Sequence, residues 1–267
     1  MTARSYLFVP ADRTDRFAKA LAAGADEVII DLEDAVAPAA KAAARFSLSG
    51  WLQQHTGRPV VVRINGVGTP WFEEDLPLCA HANVFAIMVP KSQDAAGLAR
   101  VRAAVPDKAL LPLVETVQGF DQLRQIAFAP QVQRLVFGAI DFQLDAGIDG
   151  DGDELLLVRS TLVLQSRLAG IAAPVDGPSL AIGEGESVFA DTRRARRQGF
   201  GAKLCIHPRQ VEAVHRAFTP TTQELAWAQR VLDACALAQG AAAVVDGKMI
   251  DAPVVRRARA LLGLRLE

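Results

Sequence analysis

The stretch VIIDLEDAV, residues 28–36, runs from three apolar residues straight into Asp31, Glu33 and Asp34. A carboxylate that leaves water is costly unless it is paired, hydrogen-bonded or bound to a metal, so this run points to a site that uses charge. Comparable residues punctuate the rest of the chain: Arg63 in VVVRIN, Lys91 after VFAIMVP, Glu115 after LLPLV, Asp141 in RLVFGAID, Asp176 in AAPVDGP and His207 in AKLCIHP. Glu115 and Asp141 each end an apolar run, on what read as successive strands, and are the candidate metal ligands. Two carboxylates with water and substrate oxygens suit Mg²⁺, whereas Ca²⁺ takes more protein oxygens. The structural alternative is a pair of solvated strand-end acids. Arg63 sits deep in its run, where a guanidinium needs an anion, either a neighbouring acid or a bound carboxylate. Lys91 has the place of a Schiff-base lysine but no activating neighbour in sequence, and structural pairing is the preferred reading. Asp31, Glu33 and Asp34 read either as metal-site acids or as anchors for Arg or Lys around such a site.

The elements that must hold these residues follow from the runs themselves. There are eight of strand length, rich in Val, Ile, Leu and Phe, and apolar throughout rather than alternating. Continuous apolarity marks parallel strands covered on both faces. Between them lie Ala- and Leu-rich segments with helical spacing, such as DRFAKALAAG, SQDAAGLARVRAAV and ELLLVRSTLVLQSRLAG. Eight strand–helix units in about 210 residues predict an α/β protein of the (β/α)8 TIM-barrel type. A doubly wound open sheet is the competitor, but the first strand has no Gly-rich dinucleotide turn after it. In a barrel the C-terminal strand ends converge on one face, where active sites of this fold lie. That accounts for charge at the end of every apolar run.

Bulk properties narrow the function. Of 267 residues, 51% are hydrophobic and 22% charged, the balance of a globular protein. The formal net charge of −1 gives no electrostatic footprint for nucleic acid. The densest basic cluster, TRRARRQ around Arg193–Arg197, reads as a solvated helix face, the alternative being a phosphate or acidic-partner site. Cys79, Cys205 and Cys235 have no metal or disulfide spacing, and their odd number favours a reducing compartment. With no signal-peptide pattern and no membrane-length apolar run, a cytoplasmic protein is expected. DGDGDELLLVRS begins like a calcium loop but has Glu154 and Ser160 where Gly and Glu are needed.

The barrel is expected over residues 1–218, which leaves a tail, 219–267, beyond what the fold needs. It holds a helix, TQELAWAQRVLDACALAQG, a hairpin signalled by Asp246-Gly247 in VVDGKMID, and a last helix, VRRARALLGLRLE. It is a candidate lid or subunit-exchange arm.

RSYLFVPADRTDRFAKA, VIIDLEDAVAPAAKAAAR, VVVRING, VPK, LVETVQG, FGAIDFQLDAG, GFGAKLCIHPRQV and GKMIDAPVV, in that order, resemble the citrate lyase β-subunit-like proteins of the HpcH/HpaI aldolase superfamily, relatives of the malyl-CoA and citramalyl-CoA lyases. The resemblance runs from about Arg4 to the C-terminus. It implies a phosphoenolpyruvate/pyruvate-type barrel in a homotrimer or hexamer, with Glu115 and Asp141 as Mg²⁺ ligands and Arg63 holding the oxo-acid part of the substrate. Phe8, Arg13, Lys19, Ile206 and His207 match positions lining the coenzyme A site. Asp251 matches the catalytic acid that the C-terminal arm delivers to a neighbouring subunit. The family's usual PGDRP or PGSRP is PADRT here, with Ala11 and Thr14, and Ile140 replaces the usual acid before the second metal ligand.

The activity implied is Mg²⁺-dependent cleavage of a malyl-, citramalyl- or citryl-CoA-type thioester to an acyl-CoA and a 2-oxo acid. The alternative is a citrate lyase β subunit acting on a citryl group carried by acyl-carrier protein. A metal aldolase without a thioester substrate and a non-catalytic barrel are weaker competitors, since Arg63, Glu115, Asp141 and Asp251 are all present.

Overall fold

Each of the eight apolar runs forms a strand in the computed structural model, which describes residues 3–238 and 243–264. The strands are β1 (Ser5–Pro10), β2 (Glu27–Asp31), β3 (Val60–Arg63), β4 (Val84–Val89), β5 (Ala109–Val114), β6 (Arg134–Phe137), β7 (Ala172–Asp176) and β8 (Ala202–Cys205). They pair in sequence order, all parallel, and β1 pairs with β8 to close the barrel. Helices alternate with them, so the (β/α)8 expectation holds.

Both strand faces are buried, and two clusters separate them. Tyr6, Ile29, Val61, Ala86, Met88, Leu111, Leu113, Val136, Val175, Ala202 and Leu204 fill the barrel. Their strand neighbours, among them Leu7, Val28, Ile30, Val60, Val62, Ile87, Leu110 and Phe137, pack under the helices. Because side chains alternate along a strand, Phe8, Asp31, Arg63 and Glu115 are the next inward positions after Tyr6, Ile29, Val61 and Leu113. The charged layer therefore sits directly on the apolar filling, at the C-terminal end. At the opposite end Arg134 is 2% exposed and donates to Ala3 O (2.6 Å), which gives the floor its own satisfied cation.

Two boundaries differ from the sequence reading. RLVFGAID is not strand to its end: β6 stops at Phe137, and Asp141 lies in the first turn of the helix Ala139–Ala146. Gly138, at φ −91° and ψ 75°, leaves the extended conformation and starts that helix. The last helix begins at Ala252 rather than at Val255, because the Asp251 side chain accepts from Val254 N and caps it. Pro253 is tolerated there, since the first helical turn needs no N–H from it.

The chain divides into two compact units, residues 1–218 and 219–267. The second opens with a capping box, Glu224 N donating to Thr221 Oγ1 (3.1 Å) and Thr221 N to Glu224 Oε2 (2.7 Å). After the helix Thr222–Leu237 come β9 (Ala243–Val245) and β10 (Lys248–Ile250), antiparallel. Asp246 and Gly247 between them both have positive φ, 51° and 73°, as a two-residue type I′ turn requires. Ala228, Val231, Val245, Ile250 and Ala258 give this unit its own small core. Among the described residues no helix is long and apolar enough to cross a membrane.

Candidate active site

Asp31 and Arg63 end adjacent strands and are direct register partners in the β2–β3 ladder. Arg63 forks onto Asp31, Nε to Oδ1 at 2.7 Å and Nη2 to Oδ2 at 2.6 Å. Asp31 spends its remaining capacity on the turn beyond β2, accepting from Glu33 N (2.9 Å) and Ala35 N (3.2 Å). Glu33 turns back toward the same cation, with Oε2 2.9 Å from Arg63 Nη1. The guanidinium also stacks 4.8 Å above the Phe8 ring. Burial works against the Arg63 charge, but the hydrogen bonds and charge of Asp31, with help from Glu33, outweigh it and hold the pKa above the usual arginine value. The anion that a deep Arg63 needs is thus a neighbouring acid, with Asp31 and Glu33 as the anchors, while Asp34 is exposed. The fork uses two of the five guanidinium N–H groups.

Lys91 joins this cluster to β5. Its Nζ bonds Glu33 Oε1 at 2.7 Å and its backbone N–H donates to Glu115 Oε1 at 2.7 Å. It does so from φ 46°, a left-handed conformation that costs a non-glycine residue about 1–3 kcal/mol.

Glu115 is 2% exposed. Burial first, then the charges of Glu33 and Asp141, push its pKa up to about 8, against the opposing pull of the Lys91 N–H. Space for it comes from Gly138, where a Cβ would lie 2.5 Å from Glu115 Cβ and 2.6 Å from Oε2. Asp141, half-buried in the helix that Gly138 starts, is close enough for its charge to act on Glu115. Glu115 after β5 and Asp141 in a helical first turn after β6 thus lie at the same end of the barrel, within range of each other's charge.

This donor set fits a hard divalent cation. Four carboxylates, Asp31, Glu33, Glu115 and Asp141, face two cations, Arg63 and Lys91, and Glu33 Oε2 is buried without a hydrogen bond. Among the described residues no three His, Cys, Asp or Glu side chains group as a ready-made ligand set. The chain would then offer two carboxylates and leave the other positions to water and substrate, as Mg²⁺ sites commonly do.

The residues expected at the coenzyme site flank the seam where β1 meets β8. Phe8 is inside the mouth against Arg63. Beyond β1, Arg13 forks onto Asp15 (3.0 and 2.9 Å), and Lys19 is exposed on the helix Phe17–Leu21. Beyond β8, Ile206 is 38% exposed, and Ile206 N and His207 N both donate to Gln210 Oε1 (2.8 and 3.2 Å). Asp251 is exposed at the head of the helix Ala252–Leu261 in the second unit.

Three contributors escaped the sequence reading. Lys41, 5% exposed, donates to Leu32 O (2.8 Å) and Glu33 O (2.9 Å) and fixes the acidic turn. Its signal in the sequence is a lysine among alanines in PAAKAAAR, four residues before Arg45. Gln210, 2% exposed, ties the His207 loop to Ser179 O (2.7 Å). Gly138 shows as a glycine between an apolar run and Asp141, which says nothing of Glu115. The TRRARRQ arginines lie on the helix Gly185–Gln198, where Arg194 pairs with Asp151 and Asp191.

Comparison with known proteins matches this arrangement to a family. Residues 4–208 fit the HpcH/HpaI aldolase/citrate lyase family. A citrate lyase subunit beta-like protein of Deinococcus radiodurans is 37% identical over 97% of this chain and 96% of its own. A (3S)-malyl-CoA thioesterase of Cereibacter sphaeroides is 35% identical over 93% of this chain and 89% of its own. Among solved structures, CitE from Mycobacterium tuberculosis in complex with magnesium, acetoacetate and coenzyme A superposes with a TM-score of 0.86 at 35% identity, covering 98% of this chain and 97% of that one. Fold, family match and full-length relatives agree: the chain belongs to the HpcH/HpaI aldolase/citrate lyase family.

Proposed function

We propose that this protein is a Mg²⁺-dependent carbon–carbon lyase that cleaves a 3-hydroxyacyl-CoA thioester, of the malyl-, citramalyl- or citryl-CoA type, to an acyl-CoA and a 2-oxo acid. The observation that carries this reading is the placing of Glu115 and Asp141 at the barrel mouth, within range of each other's charge, in a layer where Asp31 and Glu33 already pair with Arg63. The magnesium and coenzyme A in the CitE complex support it.

Glu115 and Asp141 would hold the cation. Bound there, Mg²⁺ supplies Lewis-acid stabilisation of the negative charge that develops on the substrate's oxygens, worth several kcal/mol. Arg63, pinned by Asp31, has N–H groups to spare for the carboxylate of the oxo-acid portion. A base takes the proton of the substrate hydroxyl, the O–H electron pair becomes the carbonyl of the 2-oxo acid, the C2–C3 bond breaks, and its electron pair leaves on C2 of the thioester fragment as an enolate. Asp251 of a neighbouring subunit protonates that carbon, giving the acyl-CoA. Phe8, Arg13, Lys19, Ile206 and His207 would take the coenzyme along the β1–β8 seam.

The test is a cleavage assay with malyl-, citramalyl-, citryl- and 3-hydroxy-3-methylglutaryl-CoA, with Mg²⁺ and with EDTA, separating acetyl-CoA from free coenzyme A. Mg²⁺-dependent acetyl-CoA release from malyl-, citramalyl- or citryl-CoA establishes the lyase and names its 2-oxo acid, whereas release from 3-hydroxy-3-methylglutaryl-CoA alone, which leaves the 3-oxo acid acetoacetate, overturns the 2-oxo-acid reading. Free coenzyme A as the first product assigns the hydrolysis named for the Cereibacter relative instead. No turnover of any of the four moves the substrate to a carrier protein, to be tried next as citryl-acyl-carrier protein.

A further inference from the structure

The hydrogen bond that orients Glu115 comes from backbone, and from an unusual piece of it. Lys91 N–H reaches Glu115 Oε1 at 2.7 Å from a turn in which Lys91 is left-handed, at φ 46°. Among the described residues Gln131 and Asp246 are the other non-glycines with positive φ. A lysine is a poor choice for such a turn, since its Cβ crowds the backbone where glycine would not. Something must hold it.

The side chain provides the hold. Lys91 Nζ, on a side chain 48% exposed and so able to extend into water, instead bonds Glu33 Oε1 at 2.7 Å. Glu33 is itself fixed, its carbonyl by Lys41 Nζ at 2.9 Å and its Oε2 2.9 Å from Arg63 Nη1. On the far side of the turn, Ser92 N returns to Leu113 O of β5 at 3.1 Å and Ser92 Oγ donates to Val89 O at 2.8 Å. Lys91 is thus clamped between the β2–β3 acids and the β5 carboxylate. Its N–H occupies Oε1 of Glu115, while Oε2 faces the gap left by Gly138.

We propose that Lys91 is a positioning residue of the metal site: the pairing of its ammonium with Glu33 holds the left-handed turn whose N–H fixes one oxygen of Glu115 and leaves the other for a divalent cation. This rests on the metal reading of Glu115 above. It makes a prediction opposite in sign to simple electrostatics. Removing a positive charge beside a cation site raises cation affinity by Coulomb's law, whereas removing a positioning group lowers it.

The experiment is Mn²⁺ binding followed by electron paramagnetic resonance, with the full-length protein, Mn²⁺ alone and no thioester. Wild type is compared with Lys91→Met, Lys91→Gln, Lys91→Gly and Glu115→Gln. Lys91→Met and Lys91→Gln should bind Mn²⁺ roughly 10–100-fold more weakly, the usual loss when a partner of a metal ligand is removed. Lys91→Gly should stay within about threefold of wild type, because glycine takes positive φ freely and keeps the N–H. If Lys91→Met does not fold, Lys91→Gln carries the comparison. Unchanged or tighter binding in these two, or an equal loss in Lys91→Gly, overturns the proposal. Its failure is separable from failure of the metal reading: wild type that binds no Mn²⁺, or Glu115→Gln that binds it normally, removes the site itself.

Discussion

A Cβ placed on Gly138 would stand 2.5 Å from Glu115 Cβ and 2.6 Å from Glu115 Oε2. The contact at Cβ lies close to the β5 backbone, so rotation of the carboxylate does not relieve it. Gly138→Ala should therefore destabilise the protein by about 1–3 kcal/mol, as overpacking does, and displace Glu115. Mn²⁺ affinity should fall at least about tenfold, with activity following. Urea unfolding and a Mn²⁺ titration check the two halves separately. Normal metal binding by a destabilised Gly138→Ala would show that Glu115 is not needed where it stands.

The Arg63–Asp31 fork makes a prediction about coupling. Asp31 is 1% exposed and the Arg63 side chain 11% exposed, so removing one partner strands the other in the barrel mouth. Asp31→Ala should cost about 3–5 kcal/mol, the usual penalty for breaking a buried pair. The Asp31→Ala/Arg63→Ala double variant should cost clearly less than the sum of the singles, with an interaction energy of about 0.5–3 kcal/mol. Strict additivity in urea unfolding would mean that the two are anchored elsewhere.

The same pair marks the limit of what the sequence shows. The eight strands are legible because both faces of each are apolar, yet that feature hides which residues face the barrel interior. Asp31 and Arg63 are recognisable as misplaced charges, but their pairing depends on the β2–β3 register that sets them opposite each other. Glu115 and Asp141 carry their own signal as acids that end apolar runs. Lys91 does not, since no residue type announces a left-handed lysine. Asp251 is visible as an acid after a hairpin, but its capping of the next helix appears only with the backbone. Chemistry-bearing residue types show in the sequence; the geometry that orients them comes from register and turns.

Metal binding should depend on pH through Glu115. Burial and the charges of Glu33 and Asp141 hold its metal-free pKa at about 8, while a cation needs the carboxylate. Binding must then release a proton below about pH 8, and apparent affinity should rise roughly tenfold per pH unit up to that point before levelling. The linkage to stability has the matching sign. A carboxyl whose folded pKa is raised contributes stability that is complete below its unfolded pKa and is lost as pH rises through about 8. Metal-free wild type should therefore lose stability relative to Glu115→Gln between about pH 4 and pH 9, a range that brackets the ordinary and the raised value, and saturating Mg²⁺ should stabilise wild type but not Glu115→Gln. Thermal melts across this range decide it. Parallel curves for the two proteins would place the Glu115 pKa near its ordinary value.

Asp251 offers a test in which chemistry and folding separate cleanly. Its side chain caps the helix Ala252–Leu261 by accepting from Val254 N at 3.2 Å, and asparagine caps helices about as well as aspartate. Asp251→Asn should therefore leave the melting temperature and Mn²⁺ affinity unchanged. Turnover should fall about 10²–10⁴-fold, the usual loss with a general acid. If the arm serves a neighbouring subunit, inactive Asp251→Asn and inactive Glu115→Ala proteins should complement each other when mixed under subunit exchange. Some sites then combine an intact Glu115 from one chain with an intact Asp251 from another. Two differently tagged proteins allow mixed oligomers to be isolated and assayed directly. Activity in that fraction assigns Asp251 to the neighbouring subunit's site, and a silent fraction of confirmed mixed oligomers assigns it to its own.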